Sequence, residues 1–237
     1  MNLQPSPRNP HPGLRAEDAR VVSGQGDRVL RNTYALLALS MVPTVAGAWI
    51  GLATGLSRSM GGIAGMILFM VVAMGMMAAI GRYANTRAAV PLLLGFTFFM
   101  GLMVSGLLGV VLGMHNGSGL VMLAFAGTAT IFLGMAALSS VIKRDLSAMG
   151  KWLFVGAVML LVAGIANAFL HSGALMVTIA TLAVGIFSAF ILHDLKRVRD
   201  GHETNYVLAT LGVYLSVFNV FQNLLVLLGL FGGDRDE

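Results

Sequence analysis

The chain has 237 residues, of which 57% are hydrophobic and 11% charged, with a mean hydropathy of +0.84. So little charge cannot cover a water-exposed surface, so the solvent of this fold is lipid, and the length leaves no room for a second soluble domain. The absence of cysteine excludes disulfides, iron–sulfur clusters and thiolate metal sites. The net charge of +5 is spread over loops without interleaved aromatics, which excludes a nucleic-acid surface.

In chain order, residues 1–28 are polar, carry Pro5, Pro7, Pro10 and Pro12, and predict a disordered cytoplasmic tail. They lack the apolar core and cleavage site of a signal peptide, so the first span is expected to be retained. Residues 29–237 are expected to form one transmembrane domain. Its spans are predicted at about 34–56, 60–80, 91–114, 120–142, 152–170, 174–194 and 206–231. The segments are rich in Leu, Met, Ala and Gly and run to about 20 residues, which favours helices over barrel strands. The expected fold is therefore an all-α membrane protein, a bundle of seven transmembrane helices.

The charges orient that bundle. Arg8, Arg15, Arg20, Arg28 and Arg31 precede the first span; Arg82 and Arg87 follow the second. Lys143, Arg144 and Lys151 follow the fourth, and Lys196, Arg197 and Arg199 the sixth. With seven spans, 13 of the 15 Lys and Arg residues share one side, leaving only Arg58 and Arg235 on the other. The positive-inside rule places that side in the cytoplasm and the acidic 234–237 end in the periplasm.

Small residues recur at four-residue spacing: Gly101, Ser105, Gly109 and Gly113 on the third span, Gly61 and Gly65 on the second. Such stripes let helix backbones approach closely in lipid. They are read here as intramolecular packing, with a dimer interface as the alternative; the oligomeric state is not legible.

Of ten carboxylates, only Asp194 lies against the end of a long apolar run, and an ionisable group there is a candidate functional site. At the end of the sixth span it would sit near the cytoplasmic mouth, facing the negative end of the helix dipole, which disfavours its charged form. Two readings stand side by side: a titratable gate or cation site, or an interfacial residue paired with an arginine. Arg31 and Arg82 are the candidate partners, with Lys196 and Arg197 on the same face. His193 is read as facing a different direction. On the seventh span Gly212, Ser216, Asn219 and Asn223 share a face, with Tyr214 and Gln222 beside it. Amides in lipid need partners, so this face should look inward, either lining a cavity or gluing helices together. Asn167 in the fifth span carries the same ambiguity and leans structural.

Catalytic readings fail on inspection. Ser105 has no histidine at membrane depth, no His-Glu-x-x-His pattern exists, all three lysines lie in cytoplasmic loops, and phosphate-binding loops are absent. The chain is not expected to be an enzyme.

Several stretches carry a family resemblance. They are Val29-Leu30-Arg31-Asn32-Thr33-Tyr34, Lys143-Arg144-Asp145-Leu146-Ser147 and Ala166-Asn167-Ala168-Phe169-Leu170. The longest runs from Gly201-His202-Glu203-Thr204-Asn205-Tyr206 to Tyr214-Leu215-Ser216-Val217-Phe218-Asn219-Val220-Phe221. In order and placement, from Val29 to Gly232, they resemble the Bax inhibitor-1 family and its bacterial YccA branch. The resemblance implies six helices around a central seventh. It implies either a pH-sensitive calcium leak or, in the bacterial branch, a modulator or substrate of the membrane-anchored AAA protease FtsH. It also implies a pH sensor made of two aspartates, the first matching Asp194 and the second falling on Ser216, which cannot ionise. A lone carboxylate loses the like-charge coupling of a pair and offers Ca²⁺ one charged ligand, so at most weak calcium binding is expected at Asp194. The leading expectation is a regulator of the membrane protease in the bacterial inner membrane. The alternative is a pH-gated cation leak with Asp194 as gate and Ser216, Asn219 and Asn223 along the path.

Overall fold

The computed structural model describes residues 12–56 and 62–232, and these form seven helices: α1 (Pro12–Thr54), α2 (Gly62–Tyr83), α3 (Ala89–Leu112), α4 (Gly117–Val141), α5 (Ser147–Leu170), α6 (Gly173–Arg199) and α7 (Tyr206–Gly232). Each contains a segment long and apolar enough to cross a membrane. Arg8, Arg58, Gly61, Arg235 and the 234–237 end lie outside the described residues.

Several boundaries shift from the sequence reading, and two of them bear on the site. Helix α1 begins at Pro12, inside the stretch expected to be disordered. Proline suits the first turn of a helix, and the following Leu14, Arg15, Ala16 and Glu17 are good helix formers. Helix α6 runs past Asp194 to Arg199. Lys196, Arg197 and Arg199 fill its last turn, where they complement the dipole, so Asp194 sits more than a turn inside the helix, beyond the reach of the terminal dipole effect.

The turns are built by side chains that match them. Helix α5 ends with His171 in the left-handed region at φ 50°, its N–H donating to the Asn167 carbonyl at 2.8 Å. The Asn167 side chain accepts from the Ser172 N–H at 3.0 Å, and the Ser172 hydroxyl accepts from the Leu175 N–H at 3.3 Å to cap α6. Asn167 is thus a turn-forming residue rather than a cavity lining. Gly201, at φ 76°, ends the α6 turn, and Asn205 Oδ1 caps α7 by accepting from the N–H groups of Val207 and Leu208.

Packing is most extensive between α1 and α3 and then between α6 and α7. The α1–α3 seam is a backbone contact. A Cβ built on Gly101 would lie 2.0 Å from the Thr44 carbonyl oxygen, and one on Gly47 2.1 Å from that of Phe98. Gly51 instead makes room for the Ser105 side chain. The Gly101/Ser105 stripe therefore works inside the chain, while Gly109 meets only the tip of Leu52. Helix α7 packs against α1, α3, α4 and α6; α2 makes its main contact with α3, and α5 with α6. Tyr214, fully buried on α7, lies edge-on to Phe96 and stacks on Phe218. Helix α5 buries none of its residues.

The loops sort by face as the charges require. Asn205 Nδ2, before α7, donates to the Ala84 carbonyl at 3.0 Å and to Asn85 Oδ1 at 2.8 Å in the α2–α3 turn. Ser147 at the start of α5 lies 3.5 Å from His202 in the α6–α7 loop, and Gly26 abuts the carbonyls of Val198 and Arg199. One end of the bundle thus gathers the basic loops.

Candidate functional site

At that basic end, Asp194 on α6 is 17% exposed and bonds the neighbouring residue: its Oδ1 lies 3.1 Å from His193 Nδ1. Consecutive helical residues point about 100° apart, which is why His193 reads from sequence as facing away. Its ring rotates back, because the space on either side is held open by two glycines on other helices. A Cβ on Gly150 of α5 would lie 2.6 Å from His193 Nε2, and a Cβ on Gly212 of α7 2.9 Å from Asp194 Oδ2. The pair is clamped between α5 and α7.

Arg31 and Arg82 are both exposed, and among the described residues neither forms an ion pair with Asp194; His193 takes that position instead. Lys196 pairs with Asp200 along its own helix, and Arg197 lies 3.8 Å from Glu203. Those carboxylates are sequence neighbours in the last turn and the following loop, so the basic residues find partners locally.

The pair borders a cavity of about 530 Å³ at the mouth. Ser147, Lys151 and Phe154 of α5 form one wall, Phe190 and Arg197 of α6 the other, and His202 closes the loop side. Before α5, Asp145 Oδ1 accepts from the Ser147 N–H at 2.8 Å and its hydroxyl at 2.6 Å. These two bonds hold the Asp145 carboxyl below the usual carboxylate range, helped by nearby His202 and Lys196.

The polar face of α7 faces inward but spends its donors on its own helix. Ser216 Oγ donates to the Gly212 carbonyl at 3.1 Å, Asn219 Nδ2 to Leu215 and Asn223 Nδ2 to Asn219, each at 2.8 Å. Ser216 is buried and directs its hydroxyl away from any bond with Asp194. The larger cavity at membrane depth, about 600 Å³ between α1, α3, α4 and α7, is bordered on α7 by Tyr214, Val217, Phe218 and Phe221 instead. A third cavity, about 290 Å³, lies where α2 stands off α3 and α7, with Gly65 and Gln222 on its walls.

The sequence reading placed Tyr214 only beside this face, yet it makes a cross-helix polar link. Its hydroxyl is 2.9 Å from Thr44 Oγ1 on α1 and 3.4 Å from the Thr97 carbonyl on α3. Either hydroxyl can be the donor in that pair, since Thr44 also reaches the Ser40 carbonyl and Tyr214 the Thr97 carbonyl. For calcium the donor set is poor. Ca²⁺ takes about 6–8 oxygen ligands, whereas Asp194 contributes one carboxylate whose partner is a ring nitrogen. Among the described residues no three His, Asp or Glu side chains gather to hold a metal ion.

Comparison with known proteins gives a consistent picture. The family model described as inhibitor of apoptosis-promoting Bax1 matches residues 26–233. An uncharacterized protein of Neisseria meningitidis serogroup A is 39% identical over 87% of this chain and 92% of its own length. An uncharacterized membrane protein of Vibrio cholerae is 31% identical over 88% and 92%. The Escherichia coli protein named modulator of FtsH protease YccA is 32% identical over 91% of this chain and 99% of its own.

Proposed function

Because this chain belongs to the Bax inhibitor-1 family of integral membrane proteins, we propose that it is an inner-membrane regulator of a membrane-anchored AAA protease of the FtsH type. The observation that carries this reading is the near full-length match to the relative named as modulator of that protease. A sister sequence named inner membrane protein YccA supports the location. In this reading the N-terminus and the basic loops face the cytoplasm, the C-terminus faces the periplasm, and α7 is the central helix of the bundle. The protease grips the polar N-terminal segment, while the clamped His193–Asp194 pair sets the shape of the mouth beside it.

The test is degradation of a membrane substrate by the protease in proteoliposomes, with and without this protein. The full chain should change the rate and crosslink to the protease; a variant lacking residues 1–25 should do neither. Unchanged degradation in the presence of folded full-length protein would sink the reading.

A second reading, a pH-gated cation leak, draws on one observation: the His193–Asp194 pair borders a cavity that opens at the mouth. Calcium flux into liposomes, stepped from about pH 8 to about pH 6 across the histidine range, separates the two. A flux that Asp194→Asn makes insensitive to pH favours the leak. No flux above empty liposomes removes it.

A further inference from the structure

We propose that the mouth cavity between α5 and α6 binds the phosphate of an acidic phospholipid in the adjacent leaflet. The inference is independent of the protease reading. Depth comes first. Trp152, next to Lys151, is 78% exposed, and Phe154 is 66% exposed on the rim of the cavity. Interfacial tryptophans sit at headgroup level, so the cavity opens sideways into the bilayer at the height of lipid phosphates.

Charge comes second. Lys151 and Arg197 both border the cavity, and Lys151 has no ion pair among the described residues. The nearest carboxylate to the Arg197 guanidinium is 3.8 Å away, and that side chain remains 43% exposed. The one acid on the wall, Asp194, is engaged by His193. A guanidinium and an ammonium bordering one cavity without full neutralisation suit a phosphate, with the His202 ring as a further hydrogen-bonding group. Phe154 and Phe190 provide apolar walls for the glycerol and upper chains. At about 530 Å³ the space is in the range of ligand pockets. Basic pockets between helices on the cytoplasmic side recognise anionic headgroups in this way.

The chain contains two tryptophans, so Trp49→Phe leaves Trp152 as the sole reporter beside the cavity. The full chain is reconstituted in phosphatidylcholine vesicles with a minor share of phosphatidylglycerol, with brominated chains on one lipid or the other. Brominated phosphatidylglycerol should quench Trp152 more than brominated phosphatidylcholine at equal mole fraction. Lys151→Gln and Arg197→Gln should each lower that preference about five-fold, while Lys151→Arg keeps it. Arg87→Gln, in the α2–α3 turn and not on the cavity wall, should leave it unchanged. Equal quenching by the two lipids overturns the proposal, as does an equal loss in Arg87→Gln, which would mean general surface attraction. Abolition of the preference by millimolar inorganic phosphate would assign the cavity to a soluble anion and overturn the lipid assignment.

Discussion

The α1–α3 seam makes the sharpest stability prediction, Gly101→Ala. The added methyl would lie 2.0 Å from the Thr44 carbonyl oxygen and 3.0 Å from the Ala48 nitrogen. Both are backbone atoms, so no rotamer change relieves the clash, and the helices must part by about 1 Å or more along the most extensive contact in the bundle. Overpacking of this kind costs about 1–3 kcal/mol. Alanine returns about 0.8–1 kcal/mol of helix propensity, leaving a net loss of up to roughly 2 kcal/mol. Gly134→Ala on α4 is the matched control. Nothing lies within 4 Å of its Cβ position, so only the propensity gain remains. Equilibrium unfolding by SDS titration in mixed micelles should move the two variants in opposite directions. Gly47→Ala combined with Gly101→Ala should cost less than the sum of the singles, because one separation relieves both. A Gly101→Ala protein as stable as Gly134→Ala would refute the close-seam argument.

Tyr214→Phe should cost about 0.5–1.5 kcal/mol in the same assay, since Thr44 keeps its bond to Ser40 and is not orphaned. Asn205→Ala should cost about 1–2 kcal/mol for the lost cap, and Asn205→Ser should recover the cap but not the tether to Ala84 and Asn85, a difference visible as faster amide exchange in the α2–α3 turn. Asp145 has a folded-state affinity for protons below that of the unfolded chain, so its contribution is present above the unfolded value of 3.8 and is lost as pH falls through the folded one. Thermal melts between about pH 6 and pH 3 should therefore fall less steeply in Asp145→Ala than in the parent if this linkage holds. Ser216→Asp, which places a carboxylate at a position only 3% exposed, should destabilise the protein at neutral pH and recover in acid, as melts at the two pH values would show.

The spans and their sorting were legible because both follow from the bilayer alone. Seven apolar runs must cross it, and Arg82, Lys143 and Lys196 must stay out of it, so their loops gather at one end, where Asn205 and Ser147 join them. Asp194 was legible for the same reason: a carboxylate against an apolar run stands out in any order of packing. Its partner was not. Helical spacing gives the direction of a Cβ, whereas the His193–Asp194 bond depends on Gly150 and Gly212 leaving room on two other helices, which is tertiary information. Spacing also put Ser216, Asn219 and Asn223 on one face, but not where their hydrogens go. Hydroxyls and amides in lipid can satisfy themselves within a turn, and here they do. Gly47 was missed because a seam needs two facing stripes, and those read were on the second and third spans while the one facing α3 is on α1.

These details concentrate the chemistry of the molecule at one end. At membrane depth Ser216, Asn219 and Asn223 donate within α7, and the cavity beside them is walled mainly by aromatic and aliphatic side chains, with the hydroxyls of Thr44, Thr128 and Tyr214 among them. At the basic end, by contrast, the elements are mechanically joined. Gly26 rests on the carbonyls that end α6, a few residues beyond Asp194, and Asn205 ties the start of α7 to the α2–α3 turn. A force on the segment before Gly26 therefore reaches the end of α6 directly, and α6 carries it to Asp194, whose carboxylate fills the space over Gly212 on α7. Under the proposed reading, a protein gripped at its N-terminus carries its His193–Asp194 pair at the same end as that segment rather than along a path through the bilayer.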